Sequence, residues 1–183
     1  EYMLAAADQE PQDDEFGCAK LSFPTDQRML SDPNVWIADT GASTHSTPHA
    51  GGMTECKEGG VKDTIVVGDG TNLKPGKIGN IPGSMMDKHG NEVNGNSILG
   101  GVTQLPKGRF NLFSITRMQA MGWSLHGDKN AIWLKNDRGV IRFDMAIPTP
   151  KGCIFAMYFK RAHEVAGVAT EAPVIMLIKE AHE

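Results

Sequence analysis

The apolar residues of this 183-residue chain fall in short runs separated by glycine, proline and aspartate, a pattern of strands and turns more than of long helices. Val35-Trp36-Ile37-Ala38 is a continuous apolar run that predicts a buried strand, and it stops abruptly at Asp39. Residues 63–81, DTIVVGDGTNLKPGKIGNI, read as two strand-like runs around the turn Gly68-Asp69-Gly70. Lys74-Pro75-Gly76 interrupts the return arm and predicts a bulge or bend. Ser97-Ile98-Leu99 and Val102-Thr103-Gln104-Leu105 offer further strand material on either side of Gly100-Gly101. Inside this region only residues 111–121, NLFSITRMQAM, carry a helical spacing, through Leu112, Ile115, Met118 and Met121. Asn111 is the predicted N-cap of that helix and Gly122 the glycine just beyond its end. Residues 123–145 alternate around Gly127-Asp128 and Asp137-Arg138-Gly139, which predicts β-hairpins, and Cys153–Phe159 is a last apolar run.

These elements predict a mainly β fold with one short helix. They divide the chain into an acidic, proline-broken flexible linker (1–33), a main domain (34–126), a C-terminal hairpin extension (127–160) and a second linker (161–183). Within the first linker, Cys18–Phe23 offers a short edge strand; the last one ends in an apolar run behind Pro173 that reads as the start of a helix.

Composition narrows the picture. A hydrophobic fraction of 40% and a charged fraction of 22% fit a soluble globular protein, and 21 glycines fit the turns. No stretch approaches the length of a membrane span, and the N-terminus lacks the basic and apolar regions of a secretory signal. The first residue is not Met, which suggests a piece of a longer product. The net charge of −4, without a basic block, argues against direct nucleic-acid binding. Three widely spaced cysteines make neither a disulfide framework nor a zinc site and read as reduced thiols.

The chemistry concentrates at Asp39. A carboxylate at the end of an apolar strand, followed by Thr40-Gly41-Ala42-Ser43, is an unusual place for a charge. A single ionised carboxylate is a poor general acid. Two carboxylates held about 3 Å apart cannot both ionise and share a proton, so one can deprotonate a water while the other protonates a carbonyl. That arrangement needs small neighbours: Gly41 admits backbone and substrate, Thr40 offers a hydroxyl to fix the paired loops, and Ala42 leaves room for a peptide.

The order WIADTGASTH, VVGDGTNLKPGKIG, LPKGRFNLFSITRMQAMGW and HGDKNAIWLKNDRGVIRF resembles the protease region of copia-type (pseudoviral) retrotransposon polyproteins, over about residues 35–160. Gly108–Phe113 is similar to the G-R-[DN]-L-L element of the wider retropepsin group, with one inserted residue. The resemblance implies a retropepsin-like, closed β-barrel-like acid-protease fold over 34–126, with extra hairpins beyond it. Retropepsins carry one D-[ST]-G per chain, and so does this sequence, so a homodimer is expected in which a second copy supplies the second Asp39. Asp39, Thr40 and Gly41 are then catalytic. Ala42 and Ser43, with a flap tip of Gly68, Asp69, Gly70 and Thr71, bind substrate.

The implied substrates are peptides of the chain's own polyprotein, with no cofactor, no metal and no membrane, in the cytoplasm within virus-like particles. The sequence departs from retroviral enzymes at Ser43, Thr44 and His45, where those carry an acidic residue, and at Asp69 in the flap tip. His45 is expected to brace the loop by hydrogen bonding. The terminal LIKEAHE resembles the approach to the zinc-binding head of integrase, with His182 as a lone potential ligand. The competing reading is a catalytically silent module of the same fold that dimerises or binds peptides.

Overall fold

The computed structural model describes residues 28–66, 70–150 and 152–162 of the chain. The expected edge strand at 18–23, the helix start behind Pro173, and Gly68 and Asp69 of the hairpin tip lie outside the described residues. In chain order the strands are β1 (Val35–Asp39), β2 (Ser46–Thr47), β3 (Thr54–Glu58), β4 (Ile65–Val66), β5 (Asn72–Leu73), β6 (Lys77–Met86) and β7 (Glu92–Gln104). They continue as β8 (Asn111–Ser114), β9 (Ser124–Gly127), β10 (Ile132–Asn136), β11 (Gly139–Phe143), β12 (Met145–Thr149) and β13 (Gly152–Arg161). Helix α1 (Ile115–Ala120) follows β8, and a 3₁₀ turn covers Val61–Asp63.

The main sheet is barrel-like, and its pairings run in a ring. β13, β1, β8, β2, β7 and β6 follow one another edge to edge, and β6 returns to β13. The closing pair is antiparallel, from Tyr158 opposite Met86 to Arg161 opposite Gly83. β12 occupies the earlier half of β13, with Met145 opposite Ala156, and β3 occupies the earlier half of β6, so both lie beside the closure. Such a ring leaves few free edges to pair with other chains. A three-stranded sheet, β9-β10-β11, and the two-stranded ribbon β4-β5 stand outside it. The turns expected at 127–128 and 137–139 connect the three strands of the smaller sheet.

β1 shows why its sequence is apolar at successive positions. It pairs antiparallel with β13 on one edge and parallel with β8 on the other, and both of its faces are covered. Trp36 points into one core cluster with Ile81, Phe113, Phe143 and Phe159, whereas Val35 and Ile37 point into a second with Leu112, Ile147 and Ala156. β6 instead alternates strictly, with Gly79, Ile81, Gly83 and Met85 inward.

Two expectations are corrected. The helix is shorter than its spacing predicts: Asn111–Ser114 is a fully buried strand, and only Ile115–Ala120 is α-helical. The cap is accordingly Ser114, whose Oγ accepts a hydrogen bond from the Arg117 amide at 3.1 Å, and not Asn111. The physical reason is that Leu112 and Phe113 each fill a core cluster from a strand hydrogen-bonded to β1, an arrangement a helix at 111–114 would abolish. Gly122 does take the left-handed conformation (φ 87°) expected beyond a helix end. The strand material expected on either side of Gly100-Gly101 lies in one continuous strand, β7. Gly79 faces Val102 while Ile81 faces Leu99, so β7 carries an extra residue as a bulge, with Gly101 at φ 61°.

The closure of the ring has one sterically exposed point. A Cβ at Gly83 would run into the Lys160 carbonyl oxygen and approach Phe159 Cε1 to 2.6 Å. Gly83→Ala is expected to destabilise the fold by about 1–3 kcal/mol through forced displacement of β13. In Gly51→Ala no atom lies within 4 Å of the added methyl, and a change of about 0.5 kcal/mol or less is expected. Urea unfolding of the two variants checks this, and equal stabilities would show that the seam tolerates the extra atom.

Candidate active site

The site is built from the end of β1 and the turn that follows it. Asp39 lies opposite Ser114 of the parallel strand β8 and is half-buried, while Thr40, Gly41 and Ser43 are exposed. The Asp39 carboxylate closes its own turn. Oδ1 accepts the Gly41 amide at 2.7 Å and the Ala42 amide at 3.2 Å. Both bonds fall on the same oxygen, which fixes the carboxyl plane relative to the loop. A Cβ at Gly41 would come to 3.2 Å from Oδ1, so the small residue at this position matters to the carboxylate.

The far side of the loop is gripped by the first turn of α1. Ser114 Oγ donates to the Ala42 carbonyl at 2.6 Å, and Thr116 Oγ1 donates to the same oxygen at 2.9 Å. Arg117 Nη1 donates to Thr44 Oγ1 at 3.2 Å and to the Gly101 carbonyl at 2.9 Å, tying the loop to the β7 bulge. Gly101 is needed there: its φ is positive, and a Cβ would meet Arg117 Nη2 at 2.6 Å.

His45 completes the brace. It is 1% exposed, its ring lies 4.2 Å from that of Phe113, and its Nδ1 accepts the Ser114 amide at 3.0 Å. An accepting Nδ1 places the proton of the neutral ring on Nε2. Burial, reinforced by the Arg117 guanidinium, lowers its pKa to about 3. Its carbonyl accepts the Thr103 amide at 2.9 Å, so the same residue joins β7, β8 and the loop.

The expected site residues therefore divide into two groups. Asp39, Thr40, Gly41, Ala42 and Ser43 form one turn. Gly70, at φ 84°, and Thr71 are exposed at the tip of a separate ribbon, where Ile65 pairs with Leu73 and Val66 with Asn72. Val61, in the 3₁₀ turn before that ribbon, and Val66, within it, expose 91% and 66% of their surface. Among the described residues no group of three His, Cys, Asp or Glu side chains is placed to hold a metal, and no helix is long and apolar enough to cross a membrane.

Sequence reasoning did not single out Ser114, Thr116, Arg117 or Arg161. Arg161 donates to the Pro33, His49 and Gly51 carbonyls and to Thr47 Oγ1. The buried Asn111 amide meanwhile donates to the Val35 carbonyl at 2.8 Å and accepts Thr47 Oγ1 at 2.6 Å. The polar positions Ser114, Thr116 and Arg117, bunched around the start of the helix, were the available signal.

The depressed pKa of His45 fixes the sign of an acid effect. Unfolded, the imidazole binds a proton below about pH 6.5; folded, it stays neutral down to about 3. Between these values the unfolded state holds more protons, so stability falls as the pH is lowered through this window, by up to about 1.4 kcal/mol per pH unit from this group. Above 6.5 the group contributes no slope. His45→Asn, which keeps an acceptor near the Nδ1 position, is expected to flatten the decline measured by urea midpoints from pH 7 to 4. An unchanged slope would assign the acid sensitivity to other groups.

Residues 36–123, from β1 to the residue after Gly122, match the family model described as Pol polyprotein, beta-barrel domain. No curated protein and no solved structure matches the chain. A barrel-like sheet carrying this family match supports the chain's origin in a retroelement polyprotein.

Proposed function

We propose that the chain supplies the aspartic endopeptidase of a retroelement polyprotein of the copia type and that it acts as a homodimer on its own precursor. The observation that carries this reading is Asp39 itself. It is a half-exposed carboxylate at a strand end, oriented through one oxygen by the Gly41 and Ala42 amides, in a turn of small residues braced from behind. Such bracing is what preorganised acid–base chemistry needs, and a surface turn does not require it.

The sequence holds one D-T-G, so the second carboxyl comes from a second copy across a two-fold axis. One carboxylate of the pair then removes a proton from a water as it attacks the scissile carbonyl. The protonated partner gives its proton to the developing oxyanion; on collapse the first carboxyl passes the proton it took from water to the leaving nitrogen, the second regains a proton from a hydroxyl of the tetrahedral species, and amine and acid are released. Thr40 and Gly41 complete each catalytic turn. Ala42 and Ser43 line the floor, and Gly68, Asp69, Gly70 and Thr71 close over an extended peptide bound by strand-like hydrogen bonds. The setting for this reaction is the cytoplasm, within virus-like particles, where crowding of precursor copies favours pairing.

Asp39→Asn preserves an Oδ1 acceptor for the two amides, so the turn stays closed while the acid is lost. In a precursor carrying the flanking polyprotein, this substitution is expected to abolish processing, read by immunoblot of the cleavage products. Continued processing would leave the fold as a silent dimerisation or peptide-binding module.

A mixing experiment tests the shared site separately. When wild-type and Asp39→Asn chains are combined in equal amounts at fixed total concentration, random pairing leaves about a quarter of the dimers with two acids. Peptide hydrolysis is expected to fall to that level, whereas a monomeric enzyme would retain half.

A further inference from the structure

The folded body and the segment that precedes it carry opposite charge. The described residues hold 15 Lys and Arg against 10 Asp and Glu. Residues 1–27 hold seven acids, among them Asp8, Glu10, Asp13, Asp14 and Glu15, against Lys20 alone. The net charge of −4 for the whole chain therefore hides a body of +5 joined to a segment of −6.

Much of the positive charge gathers at one end of the ring, where β1, β6 and β8 begin and β7 ends. The Gly59 amide donates to the Gly76 carbonyl at 2.9 Å, and the Gly76 amide donates to the Gln104 carbonyl at 2.9 Å. Three chain segments thus lie side by side there and present Lys57, Lys62, Lys74, Lys77 and Lys107, all exposed. Val61 stands among them with 91% of its surface exposed. Glu58, opposite Lys77, offsets part of this charge, as do Asp32, Glu55 and Asp63. With Arg28 and Arg109, seven cations still stand against these four carboxylates. The acidic segment joins the body at the same end. Asn111 Nδ2, at the start of β8, donates to the Asp32 and Pro33 carbonyls at 3.3 and 3.0 Å, so the entry to β1 runs beside the loop that carries Lys107.

We propose that this end is a docking surface for the chain's own residues 8–16, whose carboxylates pair with the lysines while Phe16 covers Val61. Glu15 is separated from Arg28 by a stretch that spans at most about 40 Å, enough to reach every lysine of the surface. Exposed ion pairs are individually weak, but a tether of this length supplies an effective concentration of about the millimolar range, at which several weak pairs add to a standing contact. Phe16 follows the acids directly, which matches an apolar side chain to the exposed valine. A nucleic acid would look for an open aromatic on which to stack. Among the described residues of these three segments the one aromatic is Phe110, half-buried, with the Arg109 guanidinium carbon 5.5 Å from its ring.

The test uses the full chain with a nitroxide on Cys18, just beyond Phe16, and the exposed Cys56 and Cys153 changed to Ser. Backbone amides near the label broaden in the NMR spectrum. At low salt, broadening is expected at residues 57–62, 74–77 and 107–109 and not on β9, β10 or β11. Raising the salt to about 0.5 M shortens the range of the attraction to a few ångström and is expected to restore sharp lines. Neutralising Asp8, Glu10, Asp13, Asp14 and Glu15 to Asn or Gln is expected to abolish the broadening, as is Lys57→Glu combined with Lys62→Glu and Lys74→Glu. Both sets of substitutions lie on exposed or preceding residues and leave the core untouched. Placing Lys at the five acidic positions of the triple Glu variant is expected to bring the broadening back.

Broadening that is absent, spread evenly over the body, or unchanged by the triple Glu variant in a protein that melts normally would overturn the proposal. Release of the label by oligo(U) at lower concentration than by an acidic peptide of equal charge would overturn it in favour of a nucleic-acid surface. Asp39 ends β1 whereas this surface lies where β1 begins, so failure here leaves the peptidase reading untouched.

Discussion

Strand β8 runs parallel to β1, and the register of that pair, with Ser114 opposite Asp39, holds the surrounding structure in place. It brings the hydroxyl and amide of one residue to the loop after the acid. It starts helix α1 at the point where Thr116 and Arg117 reach the same loop. Moving β8 by one position would exchange Leu112 and Phe113 between the two cores and carry the cap away from the acid. The site and the core are thus specified by one pairing.

Polar groups make that pairing unique. Residues 40–45 run between β1 and β2, so their backbone needs partners other than ladder neighbours. Asp39 Oδ1, Ser114 Oγ and Thr116 Oγ1 supply three of them. A second network does the same at the other end of β1, where Asn111, Thr47 and Arg161 hold the carbonyls of Pro33, Val35, His49 and Gly51. Arg161 is the last residue of β13, so the strand that closes the ring also fixes the entry to β1. Buried polar networks of this kind rigidify when every member is satisfied and are costly when one is lost.

The same economy shapes the response to acid. The dyad chemistry proposed above would need one proton shared between two carboxyls, which favours mildly acidic solution. His45, buried as a neutral acceptor beside Arg117, opposes protonation in that range. The brace itself therefore persists in the folded chain down to about pH 3, and what falls in mild acid is the stability of the whole fold.

Local patterns in the sequence determined the strands over 35–38 and 153–159, the hairpins around 127 and 138, the left-handed glycine at 122 and the acid turn at 39–43. Each of these depends on side-chain alternation, chirality or turn chemistry within a few residues. The periodicity of Leu112, Ile115 and Met118 suits a helix, yet 111–114 became a strand because hydrogen bonds to β1 outweighed local preference. His45 was legible as a brace, but its partner was not, since Ser114 lies far along the chain. The joining of β6 to β13, the grip of α1 on the acid loop and the stack of His126, Trp133 and Arg142 were decided only in three dimensions. All three rest on which strand edges meet, and that choice is made by the summed burial of a closed sheet, which no short window of residues contains.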